Sequence, residues 1–262
     1  MRTIRLASVR NARDLGGIPV EDGKAITTGL IFRGSDLSEC AQEDSHILFD
    51  ELGISYVIDL RCGWEADAKP DRIPSYVEYL HIPFYDMEKV GIEYDRTAPG
   101  TRKIGHDIAC DPIHFYGSLS NPLTVGQIRS ALHFVLNAAS DGRPVYFHCS
   151  GGKDRAGVLS ALILQTLGAS ADDVIEDYLA TNIEREKDYD RLFARFLKLA
   201  NGDEALAHEL VVSHRARPEN MEAFYSSVIN RYVSIDSFMT DQLGIDEEKR
   251  AHFRANCTKA CG

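Results

Sequence analysis

Pro144-Val145-Tyr146-Phe147-His148-Cys149-Ser150-Gly151-Gly152-Lys153-Asp154-Arg155-Ala156-Gly157 is the stretch on which the reading of this chain turns. Its first five residues, rich in β-branched and aromatic side chains behind a proline, have the composition of a short strand. From Ala156 to Leu167 the pattern Val158, Leu159, Ala161, Leu162, Ile163, Leu164 is apolar nearly all round, as in a helix buried on most sides. Cys149 and Arg155 bracket the turn between them. Five intervening residues let the backbone curl with successive N–H groups pointing inward, an anion nest set at a positive helix end. Gly151 and Gly152 permit the dihedrals of that curl. The nest favours a thiolate at Cys149, and Arg155 offers a planar fork that matches two phosphoryl oxygens. A buried thiol near a surface arginine is the plainer account of the same pair. One strand-to-helix turn holding Cys, two Gly, Lys, Asp and Arg speaks for chemistry instead.

Three more runs, Leu30 to Arg33, Tyr56 to Leu60 and Val77 to Pro83, read as strands, with helical periodicity around residues 41–52 and 124–139. That alternation predicts an α/β fold with a central, mostly parallel β-sheet flanked by α-helices. Thr124 and Gln127 have capping-box spacing, with Leu123 and Ile128 placed as a hydrophobic staple. Ile128, Leu132, Val135, Leu136 and Ala139 then line one face, so this helix should lie flat on the sheet. Gly168 is placed to end the buried helix in a left-handed cap, and Ser170 with Asp173 to open the next one. The C-terminal third reads as a helical extension. Tyr189, Leu192, Phe193, Phe196, Leu197 and Ala200 form one stripe; Met221, Phe224, Tyr225, Val228, Ile229 and Tyr232 form another. Both have the character of packing faces rather than ligand boxes. No repeat or low-complexity linker divides the chain, so residues 1–262 are expected to form a single domain. Residues 87–123 show no clear period.

With 262 residues, 44% hydrophobic and 26% charged, the chain can bury a core without disulfides or metal. A formal net charge of −11 argues against bulk electrostatic binding to nucleic acid or an anionic membrane, so any phosphate recognition must be local. No apolar run reaches the length of a membrane span or a signal-peptide core, which makes the cytoplasm the default expectation. Export by a route without a cleaved leader would leave no mark here. Cys40, Cys62, Cys110, Cys149, Cys257 and Cys261 contain no C-x-x-C pair and no zinc-site spacing; they read as reduced thiols.

Several further blocks accompany the loop: Asn11-Ala12-Arg13-Asp14-Leu15-Gly16-Gly17, Phe32-Arg33-Gly34, Val57-Ile58-Asp59-Leu60-Arg61, Asp177-Tyr178-Leu179 through Asn182, and the region from Arg217-Pro218-Glu219 to Leu243-Gly244. In this order they resemble the bacterial tyrosine phosphatases of the PtpB-like type, a family with dual-specificity and lipid-phosphatase members. The resemblance implies a tyrosine-phosphatase-like fold and a two-step, metal-independent reaction without cofactor. In that reaction Cys149 attacks phosphorus and water hydrolyses the resulting phosphocysteine. Ser150, Gly151, Gly152 and Lys153 would bind the phosphoryl group, Arg155 would hold its oxygens, and His148 and Asp59 would support the loop. Substrates would be phosphorylated proteins, chiefly at tyrosine, or phosphoinositides, which the Lys153-Asp154 pair accompanies in the resembling family.

The general acid stays open between two carboxylates. The family pattern favours Asp154, inside the loop, while His81-Ile82-Pro83-Phe84-Tyr85-Asp86 resembles the strand and loop that carry the acid in dual-specificity phosphatases. Trp64 is the only tryptophan and is followed by Glu65 and Ala66, so the Trp-Pro-Asp loop of larger tyrosine phosphatases is absent. Asp59 and Arg61, with Arg13, Asp14 and Arg33, read as structural charges whose loss should damage folding more than chemistry. Ala156 stands where the family commonly has a hydroxyl that helps the thiolate leave, which predicts slow hydrolysis of the intermediate. Residues 183–215 are a candidate helical lid. Two other functions compete. A rhodanese-like sulfurtransferase also holds a cysteine in such a loop, but one typically a residue shorter. A catalytically weak module could instead capture phosphorylated partners.

Overall fold

Four short runs of β-branched and aromatic residues converge on one sheet, and the order in which they do so puts Cys149 at its centre. The structure, a computed structural model, describes residues 2–84 and 112–260. Its strands are β1 (Arg2–Thr3), β2 (Arg13–Asp14), β3 (Pro19–Val20), β4 (Lys24–Ile26), β5 (Ile31–Gly34), β6 (Tyr56–Asp59), β7 (Glu78–His81), β8 (Val145–His148) and β9 (Thr258–Ala260). The main sheet runs β1-β2-β5-β8-β6-β7, and β5, β8, β6 and β7 are parallel. Although last of the four in sequence, β8 is inserted between β5 and β6. Ligands of open α/β sheets sit in the crevice beyond the carboxyl ends of such strands, and Cys149 follows directly on His148 there.

Alternation along the strands gives the sheet two dry faces. Ile31, Tyr56, Ile58, Val145 and Phe147 enter the larger core, while Phe32, Val57 and Tyr146 enter a second one with Leu48, Phe49 and Ile54. Helices cover both. They are α1 (Gln42–Ser45), α2 (Gly63–Ala68), α3 (Pro112–Ser118), α4 (Pro122–Ser140), α5 (Asp154–Leu167), α6 (Ala171–Glu184), α7 (Glu186–Leu199), α8 (Glu204–Ser213), α9 (Pro218–Tyr232) and, after a short helical turn, α10 (Glu247–Cys257). Helix α5 is the central one: from Ala156 to Leu164 every side chain is buried. Gly168 ends it at φ 91°, and Ser170 Oγ accepts the Asp173 N–H at 3.1 Å to start α6. Both ends are as the sequence predicts.

Elsewhere the sequence misleads. Helix α4 starts two residues before the proposed Thr124 cap, because Asn121 caps it by accepting the Leu123 N–H and Pro122 fills the first helical position, where its missing N–H costs nothing. Leu123 is consequently 56% exposed and makes no staple. The helix expected over 41–52 is one α turn that widens into a π-helical segment, His46–Glu51. Antiparallel β1 and β2 and the separate sheet β3-β4-β9 escape sequence reading because strands of two or three residues carry no period.

The two C-terminal stripes part company. On α9, Met221, Phe224 and Val228 enter the main core, each contributing roughly 1.5–3 kcal/mol of burial. The stripe on α7 meets α8 instead, and Tyr189, Phe196, Ala207 and Val211 form a small core of their own. Asp86, Cys110 and Cys261 lie outside the described residues.

Candidate active site

The loop from Cys149 to Arg155 is shaped from behind by charges that never meet water. Asn11, itself at φ 58°, donates from Nδ2 to the carbonyls of Gly151 (3.1 Å) and Gly152 (3.0 Å), and Arg33 Nη2 donates to the Gly152 carbonyl at 2.8 Å. With those oxygens held outward, the N–H groups of the same peptide units are turned toward the hollow. Asp177, from α6, anchors the donors: it accepts from Arg13 Nε (2.7 Å), Arg33 Nη1 (2.5 Å) and Ser160 Oγ (2.9 Å), while Arg13 Nη1 donates to Asn11 Oδ1 (2.6 Å). Burial alone would raise the Asp177 carboxyl, but Arg13 and Arg33 bring it down to about 2. Burial and the neighbouring Arg13 draw Arg33 down to about 10. At neutral pH Asp177 and Arg33 are therefore both charged, and a buried charge needs such a partner.

Gly152 has a positive φ, 65°, and a Cβ there would lie 2.3 Å from the Gly34 carbonyl oxygen, so only glycine lets the loop pack on the end of β5. Cys149 is 1% exposed, at the floor of the loop.

In front stands Glu65 of α2. Its carboxylate accepts from both terminal nitrogens of Arg155, with the Nη2–Oε1 bond at 2.9 Å, from Ser150 Oγ at 2.6 Å and from the Cys62 N–H at 2.9 Å. Burial opposes charge on Glu65, yet Arg155 holds its carboxyl far below the usual range. The Arg155 Nε is buried and donates to nothing among the described residues. A donor left dry at the mouth of an N–H nest is a place for an anion's oxygen.

Beside the loop, Asp154 Oδ1 accepts from the Tyr116 hydroxyl at 2.9 Å; the Tyr116 hydroxyl oxygen lies 2.7 Å from the Tyr178 hydroxyl, to which Asn220 donates at 3.0 Å. Burial would raise the Asp154 carboxyl; Lys153, Tyr116 and Arg155 outweigh it and keep it below the ordinary range. Lys153 is buried, not a solvated rim lysine: its Nζ donates to the His214 carbonyl at 2.8 Å and lies 3.3 Å from Asp154.

Under the loop, His148 Nε2 is 3.2 Å from Asp71, and Arg61 pairs with Asp59 and Asp71, both at 2.7 Å. Asp59, Asp71 and His148 are close enough together to suggest metal ligands. The Arg61 guanidinium already supplies the positive charge among them, so the donor set does not fit a cation. Asp14 binds the N–H groups of Gly16 and Gly29, both at 2.8 Å, which is structural work.

The structure therefore gathers Cys149, Ser150, Gly151, Gly152, Lys153, Asp154 and Arg155 in one place, with His148 and Asp59 behind. It adds Glu65 and Tyr116, for which no sequence spacing gives a signal. Asn11, Arg13, Arg33 and Asp177 were visible as members of matching blocks, but their attachment to the loop was not.

A family model described as "Tyrosine phosphatase family" matches residues 4–259. A provisionally named tyrosine-protein phosphatase of Cupriavidus necator is 24% identical over 250 residues, 95% of this chain and 87% of its own. The triple specificity protein phosphatase PtpB of Mycobacterium tuberculosis is 27% identical over 271 residues, 92% of this chain and 94% of its own. Among solved structures, the core catalytic domain of a PP-IP phosphatase from S. cerevisiae aligns with TM-score 0.39 and 14% identity, over 85% of this chain and 94% of that one.

Proposed function

Since the chain belongs to the tyrosine phosphatase family, we propose that it hydrolyses phosphomonoesters through Cys149, with phosphotyrosine as the principal substrate and phosphoserine, phosphothreonine and phosphoinositides as further ones. The observation that carries this reading is the buried Arg155 Nε, without a partner among the described residues, beside a loop whose carbonyls Asn11 and Arg33 hold outward. Three equatorial oxygens of a phosphoryl group would take the inward N–H groups and the guanidinium, charge stabilisation that phosphoryl transfer depends on.

In the first step Cys149 Sγ forms a bond to phosphorus as the ester oxygen leaves and takes a proton. In the second, water adds to phosphorus, the S–P bond breaks, and the water's proton passes to a base. Asp154, held ionised by Lys153 and Tyr116, suits the second step directly. It serves the first only when protonated, and Asp86 stays as the rival acid for that step. Glu65 holds the Arg155 fork in one plane for both. The hairpin of α7 and α8, tied to the loop by the Lys153–His214 bond, would act as a lid over the bound substrate.

The test is phosphate release, in chelator, from a phosphotyrosine peptide, a phosphoserine peptide and a soluble phosphoinositide, each beside Cys149→Ser. Release that the substitution abolishes, highest on phosphotyrosine, is the expected result. Tight phosphopeptide binding with no release by the unaltered chain would turn the reading into capture.

A further inference from the structure

On the side of α6 and α9 turned away from the loop, the two helices leave a groove of about 770 Å³. That lies inside the span of small-molecule sites, roughly 300–1,000 Å³. Val174, Ile175, Leu179 and Ile183 form one wall, Pro218 and Met221 the other. They recur at the three- and four-residue spacing of one helix face. Ile183 is 77% exposed, an unusual position for a large apolar side chain at the end of an apolar groove.

Two observations point to a ligand rather than to bare surface. Gln165 Oε1 and the Tyr225 hydroxyl, both in the lining, are buried and have no hydrogen-bond partner among the described residues. Native folds seldom leave such atoms unpaired. The rim is also one-signed: Asp172, Glu176 and Glu222 border the groove, and no lysine or arginine among the described residues lines it. Asp172 is accounted for by the first turn of α6, where a carboxylate meets the positive helix end. Glu176 and Glu222 are exposed and form no ion pair among the described residues, so both carboxylates are free to meet a cation at the groove.

We propose that this groove binds a small amphiphilic amine. Its apolar body lies between α6 and α9, its ammonium group meets Glu176 and Glu222, and its polar hydrogens reach Gln165 Oε1 and the Tyr225 hydroxyl. The inner faces of the same helices carry Asp177, Tyr178 and Asn220, so the occupant sits outside the signature loop and does not compete with phosphate.

Isothermal titration of the full chain with 4-phenylbutylamine, 4-phenylbutanol and 4-phenylbutyrate tests the assignment. The amine should bind about tenfold more tightly than the alcohol, as two carboxylates facing one ammonium would give, and the acid should not bind. Glu176→Gln with Glu222→Gln should remove that preference while leaving the alcohol's affinity and phosphate release unchanged. Leu179→Trp, which fills the groove, should abolish binding of amine and alcohol alike. Saturating inorganic phosphate should not displace the amine. Equal binding of all three compounds, binding of none, or an amine preference that survives the double substitution would overturn the proposal. So would a dimer that Ile183→Asp dissociates while none of the three binds, since the groove would then join two copies.

Discussion

Arginine and carboxylate grip the signature loop from two sides, and the two grips differ in what surrounds them. Behind it, Arg13 and Arg33 share Asp177 with essentially no exposure to solvent. In front, Arg155 meets Glu65 with side chains 12% and 16% exposed, at the rim where a substrate would enter. Similar ion pairs thus serve different ends. A charge that cannot reach water fixes shape, because losing its partner leaves it stranded. A charge at the rim can exchange partners, and so takes part in binding.

The largest effect should come from the rear grip. Asp177→Asn leaves two buried guanidinium groups facing one neutral amide, and should cost about 3–5 kcal/mol in chemical denaturation. The same network sets an acid limit. Because the folded Asp177 carboxyl titrates at about 2, below its unfolded value of roughly 4, its contribution is complete above that unfolded value. It is lost as pH falls from there toward 2. A denaturation midpoint followed down this range should fall, and the fall should be shallower in the Asp177→Asn background, where Glu65 and Asp154, also held below the ordinary carboxylate range, supply what remains.

The front grip should behave the other way round. Glu65→Gln keeps a side-chain oxygen for Ser150 and the guanidinium, and its site retains some access to solvent, so it should cost less unfolding stability than Asp177→Asn. It should lower kcat/KM by about ten- to a hundredfold, since a misplaced Arg155 fork forfeits orientation. Equal damage to stability and activity in both variants would erase the distinction between the grips. The smallest effect concerns Ala156, which is wholly buried at the start of α5. Ala156→Ser, gentler there than threonine, should raise the hydrolysis rate of the intermediate by a few-fold, about 1 kcal/mol or less of barrier, as read from the ratio of burst to steady-state phosphate release.

The contrast also explains what could be read from the sequence. Cys149, Arg155, the strand before them and the helix after them announce themselves, because an apolar run, a glycine pair and a fixed spacing are local features. The parallel strands were legible for the same reason. Glu65 was not: it approaches Arg155 from 90 residues away, and nothing in Trp64-Glu65-Ala66 distinguishes it from a surface carboxylate. Arg13 and Arg33 were legible as structural charges, yet Arg33 holds the Gly152 carbonyl and Arg13 holds the asparagine that supports both loop carbonyls, so structure and chemistry are not separable at those positions. The amphipathic stripes of α7 and α9 look equivalent as sequence, and only tertiary contact sends one into the main core and the other into a separate hairpin.

The central claim is that phosphorus passes through Cys149. An acid-quenched reaction with 4-nitrophenyl phosphate, followed by mass spectrometry of the peptide containing residue 149, tests it most directly. The prediction is a single phosphoryl group on Cys149 in the unaltered chain, with neither adduct nor phosphate release in Cys149→Ser. Phosphate release that persists in Cys149→Ser, or a phosphoryl group trapped on any other residue, would contradict it.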